Sequence, residues 1–210
     1  DGLRYACAAL GIALGDSQAK RLREAYLALD AFPEVEDALR KLSGFRLAIL
    51  SNGAPAMLAA VVRNAGLSRV FAAVISVHAL KTYKPAPEVY GLAVKKLGVP
   101  KSAIGFVSSN CWDACGAKAF GFRTFWINRT GAPVDELDAP PDHVIGSVAD
   151  LPGLLPVHRR RDDDLRGRRR RGFFSVTAAK RGGRGQRGRG RRTNAGSKGA
   201  FVDSHRLYSL

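Results

Sequence analysis

FRLAILSNGAP, residues 45–55, is the stretch from which the fold of this 210-residue chain can be inferred. Apolar residues run through it almost without alternation, which is typical of a strand covered on both faces in a parallel sheet. We predict a strand over residues 46–50. The small polar residues Ser51-Asn52-Gly53 then end the strand and permit a tight turn, and a helix is predicted to begin near Pro55.

The N-terminus of that helix would point free backbone N–H groups at any ligand bound beside the turn. Ligands of open α/β sheets lie outside the carboxyl ends of the strands. Ser51 and Asn52 are therefore the first candidates for contact with an anionic ligand. Capping of an ordinary strand-to-helix turn would explain the same two residues equally well.

Strand and helix patterns alternate along most of the chain. Further strands are predicted over residues 72–77, 104–107, 123–127 and 143–145. Helices are predicted over residues 18–29, 34–42, 56–65, 88–97 and 149–155. A further helix is predicted to follow the segment SSNCWD and to end at Phe120. This alternation predicts an α/β fold, in which a Rossmann-like parallel sheet carries helices on both faces.

Charge divides the chain into two parts. Residues 1–157 carry 17 Lys and Arg against 14 Asp and Glu, whereas residues 158–210 carry 17 against 4. Segments such as HRRRDDDLRGRRRRG, residues 158–172, show no apolar periodicity, so residues 158–210 are predicted to form a disordered Arg/Gly-rich tail. Three interpretations of this tail stay open: an inert solvated segment, a reading-frame artefact, or a module that binds nucleic acid without specificity through its charge.

Other function classes find little support in the sequence. No apolar run approaches the roughly 20 residues of a membrane span, and no signal peptide is visible. Cys7, Cys111 and Cys115 form neither a CxxC pair nor a metal-binding spacing with histidine. We therefore expect reduced thiols in a cytoplasmic protein, with no membrane partner.

Polar side chains follow three of the predicted strands. Ser51 and Asn52 follow the first, Lys84 and Tyr90 come after the second, and SSNCWD, residues 108–113, follows the third. Because the carboxyl ends of parallel strands emerge at one edge, these groups can converge into an anion pocket. Each residue alone is weak evidence, since a single lysine is most often at the surface and an acid in the first turn of a helix is favoured by the dipole.

The sequence also resembles a known family, on four pieces that occur in order: AILSNG, YKPAPEVY, FVSSNCWDACGAKAFGF and FWINRTG. Together they closely resemble the L-2-haloacid dehalogenases of the haloacid dehalogenase superfamily, over about residues 1–155. The resemblance implies hydrolysis of (S)-2-haloacids such as 2-chloropropionate to 2-hydroxy acids, without metal or cofactor. An aspartate would attack C2, expel halide and form an ester that water hydrolyses. A homodimer is a further expectation.

The alternative within the superfamily is a magnesium-dependent phosphatase. Such enzymes usually hold the metal with a pair of acids at the third of these pieces. This sequence has Ser109 at the first of the two positions and retains Asp113 alone. One lost carboxylate disfavours a hard cation that prefers oxygen ligands.

The resemblance further implies a role for each candidate residue. Ser51 would hold the substrate carboxylate, and Asn52 would help to cradle the leaving halide. Lys84 would pair with the nucleophile and keep it ionised. Asp113 would hold Lys84 and help to position the hydrolytic water. The other candidates, Tyr90, Ser108 and Asn110, would orient these groups. Trp112 would line the pocket against the alkyl part of the substrate.

One departure from the family is expected to matter more than these matches. The nucleophilic Asp of the family lies in a DxxGT-like motif on a first strand in the middle of the sheet, and no such motif occurs here. We therefore expect residues 1–30 to be the remnant of a helical cap and residues 31–157 to be a core that lacks this strand. The chain as written is predicted to be inactive and poorly stable.

Overall fold

The structure, a computed structural model, describes residues 2–155 and the short strand Phe173–Val176. Its helices are α1 (Gly2–Ala9), α2 (Asp16–Leu27), α3 (Val35–Lys41), α4 (Pro55–Asn64), α5 (Pro87–Leu97), α6 (Cys111–Phe120) and α7 (Leu151–Leu154). Its strands are β1 (Arg46–Ser51), β2 (Ala73–Ser76), β3 (Ile104–Ser108), β4 (Arg123–Ile127), β5 (His143–Ile145) and β6 (Phe173–Val176). Short 3₁₀ helices cover His78–Leu80, Lys101–Ala103 and Val148–Asp150.

All described strands belong to one parallel sheet. Their order is β2-β1-β6-β3-β4-β5, and every neighbouring pair is parallel. The predicted α/β fold is therefore confirmed. The predicted strands and helices are all present, with boundaries that differ from the prediction by at most two residues.

Helices cover both faces of this sheet, as the apolar run in β1 predicts. Successive side chains of a strand point to opposite faces. Ala48 and Leu50 accordingly pack with residues of α5 and α6, whereas Leu47 packs with residues of α3 and α7 in a second cluster. The sheet therefore has an apolar core on each face. Burying one leucine in such a core contributes about 1.5–3 kcal/mol.

Strand β6 comes from within the segment that was predicted to be a disordered tail. It lies between β1 and β3, where Ser175 pairs with Ala48 on one side and with Phe106 on the other. The structure thus corrects the prediction at residues 173–176 and fills the expected opening in the middle of the sheet. The physical reason is that buried strands must pair their backbone N–H and C=O groups, and FFSV is an apolar run with high strand propensity. Other residues of the predicted tail lie outside the described part of the chain.

The first two helices pack onto the sheet domain through α4. The Asn64 side chain donates to the Leu27 carbonyl at 2.7 Å, and an exposed ion pair between Arg4 and Asp16 joins α1 to α2. The division of the chain into a cap remnant and a core stays a prediction. Among the described residues, no helix combines the length and the apolar character that crossing a bilayer requires.

Candidate active site

The polar residues that follow β1, β2 and β3 meet at the carboxyl edge of the sheet. Ser51 and Ser108 are the last residues of β1 and β3, and both are buried. Asp113 lies in the first turn of α6, and Lys84 lies in the loop before α5. The convergence of these groups that the strand order predicted is therefore observed.

A buried ion pair forms the centre of the site. Lys84 Nζ lies 3.0 Å from Asp113 Oδ2, and the two side chains are 3% and 1% exposed. The ammonium group also lies 4.8 Å from the centre of the Phe106 ring. Burial lowers the pKa of Lys84, and the negative charge of Asp113 opposes that shift. The pair places an ammonium and a carboxylate side by side in an environment where charge interactions are stronger than in water.

Both oxygens of the Asp113 carboxylate accept hydrogen bonds. Ser108 Oγ donates to Oδ2 at 2.9 Å, beside the Lys84 ammonium, and the Tyr90 hydroxyl donates to Oδ1 at 2.9 Å. Burial is the largest cause of the raised pKa of Tyr90, followed by the charge of Asp113, so this hydroxyl keeps its proton as a donor. With three donors and almost no exposure, Asp113 is suited to hold Lys84 and is poorly suited to attack a substrate.

Gly116 allows the approach of α6 to α5 that brings Tyr90 to Asp113. A Cβ atom at this position would lie 2.7 Å from Pro85 Cβ and 2.8 Å from the Tyr90 hydroxyl oxygen. Both distances are shorter than real contacts. No sequence motif marks Gly116 as part of the site, although a glycine inside a helical pattern is a recognised sign of close packing.

The turn after β1 is fixed by hydrogen bonds of its own side chains. Ser51 Oγ accepts from Gly53 N at 3.0 Å, and Asn52 Oδ1 accepts from Lys84 N at 3.0 Å. The second bond ties this turn to the loop that carries the catalytic lysine candidate. A Cβ on Gly53 would lie 2.9 Å from Leu58 Cδ2, so glycine also permits the helix to begin directly behind the turn.

The turn after β3 has the same construction. Asn110 N donates to Ser108 Oγ at 3.1 Å, and Asn110 is the residue directly before α6. Trp112 is half-buried on the first turn of α6, and its contact with a substrate stays a prediction. The Ser109 carbonyl accepts from the Trp126 indole at 3.2 Å, which anchors this turn to β4.

Ser76 is a second residue of the site that no sequence motif indicates. It is the last residue of β2, and its hydroxyl donates to the carbonyl of Gly53 at 2.7 Å. Asn52, Lys84 and Ser76 thereby link the ends of β1 and β2 to the buried ion pair. A single serine at a strand end carries no motif, so only its position beside Ser51 in the sheet reveals it.

Comparison with known proteins identifies the family to which these residues correspond. Residues 2–121 match the haloacid dehalogenase-like hydrolase family. The chain is 43% identical over 157 residues to an (S)-2-haloacid dehalogenase of Pseudomonas putida, a match that covers 74% of this chain and 69% of the relative.

Solved structures give the same result. The crystal structure of the L-2-haloacid dehalogenase RSc1362 is similar with a TM-score of 0.68 and 50% sequence identity, over 72% of this chain and 68% of that chain. The L-2-haloacid dehalogenase of Xanthobacter autotrophicus with chloropropionic acid covalently bound is similar with a TM-score of 0.65 and 38% identity, over 72% of this chain and 71% of that one.

Proposed function

Because the chain belongs to the haloacid dehalogenase-like hydrolases, we propose that its site serves the hydrolysis of (S)-2-haloacids to 2-hydroxy acids. The observation that carries this proposal is the buried pair of Lys84 and Asp113, tied through Asn52 to the turn after β1. A small carboxylate is the kind of ligand that the Lys84 ammonium group and the hydrogen-bond donors of this turn suit. Similarity to dehalogenases over about 70% of the chain supports the same substrate class.

Donors for the substrate carboxylate come from the turn after β1. The Ser51 hydroxyl oxygen accepts from Gly53 N, and among the described residues no acceptor is paired with its proton. The Asn52 side chain accepts through Oδ1, and within the described part of the chain its amide N–H groups have no acceptor, so they can donate to a halide or a carboxylate oxygen. The N-terminus of α4 lies directly behind this turn and favours negative charge.

The reaction requires a nucleophilic carboxylate. Its oxygen forms a bond to C2 while the carbon–halogen bond breaks and its electron pair leaves with the halide. Water then hydrolyses the ester, which gives the 2-hydroxy acid, restores the carboxylate and releases a proton. Asp113 does not suit this role because Lys84, Ser108 and Tyr90 hold it. The strand between the two turns, FFSV, contains no acid.

We therefore expect the 210-residue chain to bind (S)-2-chloropropionate without releasing chloride. The two tryptophans of the chain lie on α6 and β4 at this edge, so their fluorescence reports on binding. Saturable binding that favours the (S) over the (R) enantiomer is the expected result. Lys84→Met should abolish this binding, whereas Lys81→Met, a change of an exposed lysine in the same loop, should leave it intact.

Two outcomes would overturn the proposal. One is a folded chain that binds neither enantiomer. The other is release of phosphate from p-nitrophenyl phosphate that depends on magnesium, which would favour the phosphatase alternative. Ser109, which stands where a phosphatase would supply a second acid, supports the dehalogenase.

A homodimer is the first of two proposed assemblies. Exposed apolar side chains on and near α1 and α2 support it, with Tyr5 78% exposed and Leu10, Ile12 and Leu22 about half exposed. Such side chains are typical of a surface that a partner covers. Light scattering should give twice the mass of one chain, and Leu10→Lys combined with Leu22→Lys should reduce it to that of one chain.

Binding of nucleic acid is the second. The 17 basic residues against 4 acidic ones in residues 158–210 support a charge-driven interaction without sequence specificity. RNA bound at low salt should be released as the salt concentration rises. A chain that ends at residue 176 keeps β6 but loses nine of these basic residues, so it should bind more weakly.

The cytoplasmic location inferred from the cysteines stays a prediction.

A further inference from the structure

Ser76 lies at the end of the edge strand β2, opposite Ser51 in the register of β1. Its hydroxyl donates to the Gly53 carbonyl at 2.7 Å and accepts from His78 N at 3.2 Å. The side chain therefore spans from one strand end to the turn of the neighbouring strand. Its donor and its acceptor capacity are both used by backbone groups.

The peptide that Ser76 holds joins Gly53 to Ala54. A trans peptide is planar, so its C=O and its N–H point in opposite directions. Because the Gly53 oxygen accepts from Ser76 on β2, the Ala54 N–H points away from that hydroxyl. The strand order places β6 and β3 across β1 from β2, and the turn after β3 carries Asp113 of the buried ion pair. Within residues 2–155 and 173–176, no acceptor is paired with this N–H.

Gly53 makes this orientation dependent on an external anchor. Glycine adopts a wide range of backbone angles at little cost, so the peptide after it could rotate if nothing held its oxygen. The Ser51 hydroxyl holds only the N–H of Gly53, on the preceding peptide. Among the described residues, Ser76 is the group that holds the peptide that follows.

We propose that Ser76 is a positioning residue for haloacid binding, an inference that rests on the proposed function. By holding the Gly53 carbonyl, Ser76 aims the Ala54 N–H at the carboxylate of the bound substrate. That carboxylate then accepts from the Ser51 hydroxyl and from the Ala54 amide together. Two fixed donors fit the two oxygens of a carboxylate better than one donor and a mobile peptide.

The test compares variants of the full chain in titrations with (S)-2-chloropropionate followed by tryptophan fluorescence. Ser76→Ala should raise Kd about fivefold, as expected for the loss of one hydrogen bond. Ser76→Thr keeps the hydroxyl and should restore the wild-type value. Ser147→Ala is the matched control because Ser147 Oγ also accepts from the amide two residues later, Ala149 N at 3.0 Å, but lies after β5. It should leave Kd unchanged.

A second measurement does not depend on the folding of any variant. In the ¹⁵N-labelled wild-type chain, saturating (S)-2-chloropropionate should shift the amide signal of Ala54 more than that of Ala149. If the wild-type chain does not bind the haloacid at all, the proposed function fails. If it binds while the Ala54 signal stays in place, or if Ser76→Ala binds as tightly as wild type, the role of Ser76 is refuted and the proposed function stands.

Discussion

The turns that follow β1 and β3 share one construction and differ in what they do with it. Each strand ends in a buried serine whose Oγ accepts from the amide two residues later, Gly53 N at 3.0 Å and Asn110 N at 3.1 Å. Ser108 then donates its proton to Asp113, at 2.9 Å. In the described chain, the Ser51 proton has no such acceptor. The serine hydroxyl after β3 thus donates to a carboxylate of the protein, whereas the serine hydroxyl after β1 can donate to a ligand.

This difference separates two tasks that a site for an anion must combine. A buried ammonium group needs a permanent counter-charge, since an unpaired buried charge is strongly disfavoured. The turn after β3 supplies that counter-charge through Asp113. The turn after β1 carries no acid and lies at the N-terminus of α4, so it attracts the negative charge of a substrate. Separate substitutions can therefore disturb ligand binding at the turn after β1 and the counter-charge of Lys84 at the turn after β3.

Strand β6 joins the two turns into one sheet, and its removal should have the largest effect. A chain that ends at residue 157 leaves the facing edges of β1 and β3 without the partners that Phe173–Val176 provide. Each buried unsatisfied backbone group costs about 1–3 kcal/mol, and several of them rival the whole stability of a domain, about 5–15 kcal/mol. We expect loss of the cooperative thermal transition, measured by circular dichroism, together with aggregation.

The control for this truncation is a chain that ends at residue 192. It retains β6 and most of the basic residues, so it should melt as the full chain does. Ser175→Pro provides an independent test because proline removes a backbone donor from a central strand, where proline is essentially not found. If the chain of 157 residues melted as cooperatively as the full chain, β6 would not be part of the stable sheet.

Loss of the counter-charge should have the next largest effect. Asp113→Ala leaves the buried Lys84 without its carboxylate and should reduce the free energy of unfolding by about 3–5 kcal/mol. Denaturation by urea measures the change. Combining Lys84→Met with Asp113→Leu replaces the pair by apolar groups and should recover most of the lost stability, since such replacements are often neutral. A single variant as stable as wild type would show that the pair does not hold the turn after β3.

The turns themselves were predictable from the sequence, and the reason is local. A buried apolar run followed by small polar residues places Ser51 and Ser108 at strand ends, and the parallel topology then brings them to one edge. Lys84 and Asp113 were predicted at the same edge for that reason. The family resemblance implied that Asp113 holds Lys84. The distance of 3.0 Å between them and the two further donors on Asp113 depend on how closely α6 packs, which the strand and helix patterns do not specify.

The residues that the sequence did not reveal act through distant parts of the chain. Strand β6 is a four-residue apolar run inside a basic segment, and only the demand of β1 and β3 for backbone partners explains its place. Ser76 acts across strands, through a carbonyl 23 positions away in the chain. Gly116 matters because of Pro85 and Tyr90, which approach it from other elements. Local patterns give the strand propensity of FFSV and the presence of a glycine inside a helix, but they do not give the distant groups that these residues contact.

The binding of (S)-2-chloropropionate should depend on pH through the pKa of Lys84. Burial lowers this pKa below the ordinary value of about 10.4. The group therefore loses its proton as the pH rises through the lowered value, and the attraction for an anion is lost with it. We expect Kd for (S)-2-chloropropionate to rise more than tenfold on the alkaline side, at a pH below that of a free lysine. Titrations between pH 7 and pH 11 measure this rise.

Lys81→Met is the control for the pH series, because it removes an exposed lysine of the same loop and should leave the profile unchanged. The carboxylate of the ligand stays ionised throughout this range, so its own titration does not contribute. A binding curve that stays flat until pH 10.4 or above would mean that the charge of Lys84 is not depleted early.

The smallest effects should come from removing one serine hydroxyl at a time, and here the two turns should respond in opposite ways. Ser108→Ala removes a donor from Asp113 and the acceptor of Asn110 N, so it should reduce stability by about 1–3 kcal/mol. Ser51→Ala removes only the acceptor of Gly53 N from the folded chain and should reduce stability by no more than about 1 kcal/mol. For Kd the order should reverse, with Ser51→Ala about tenfold weaker in binding (S)-2-chloropropionate, because it removes a donor to the carboxylate. Urea denaturation and fluorescence titration of both variants complete the comparison. Equal changes in stability and in Kd for the two serines would contradict this division of roles, in which Ser108 holds Asp113 and Ser51 binds the ligand.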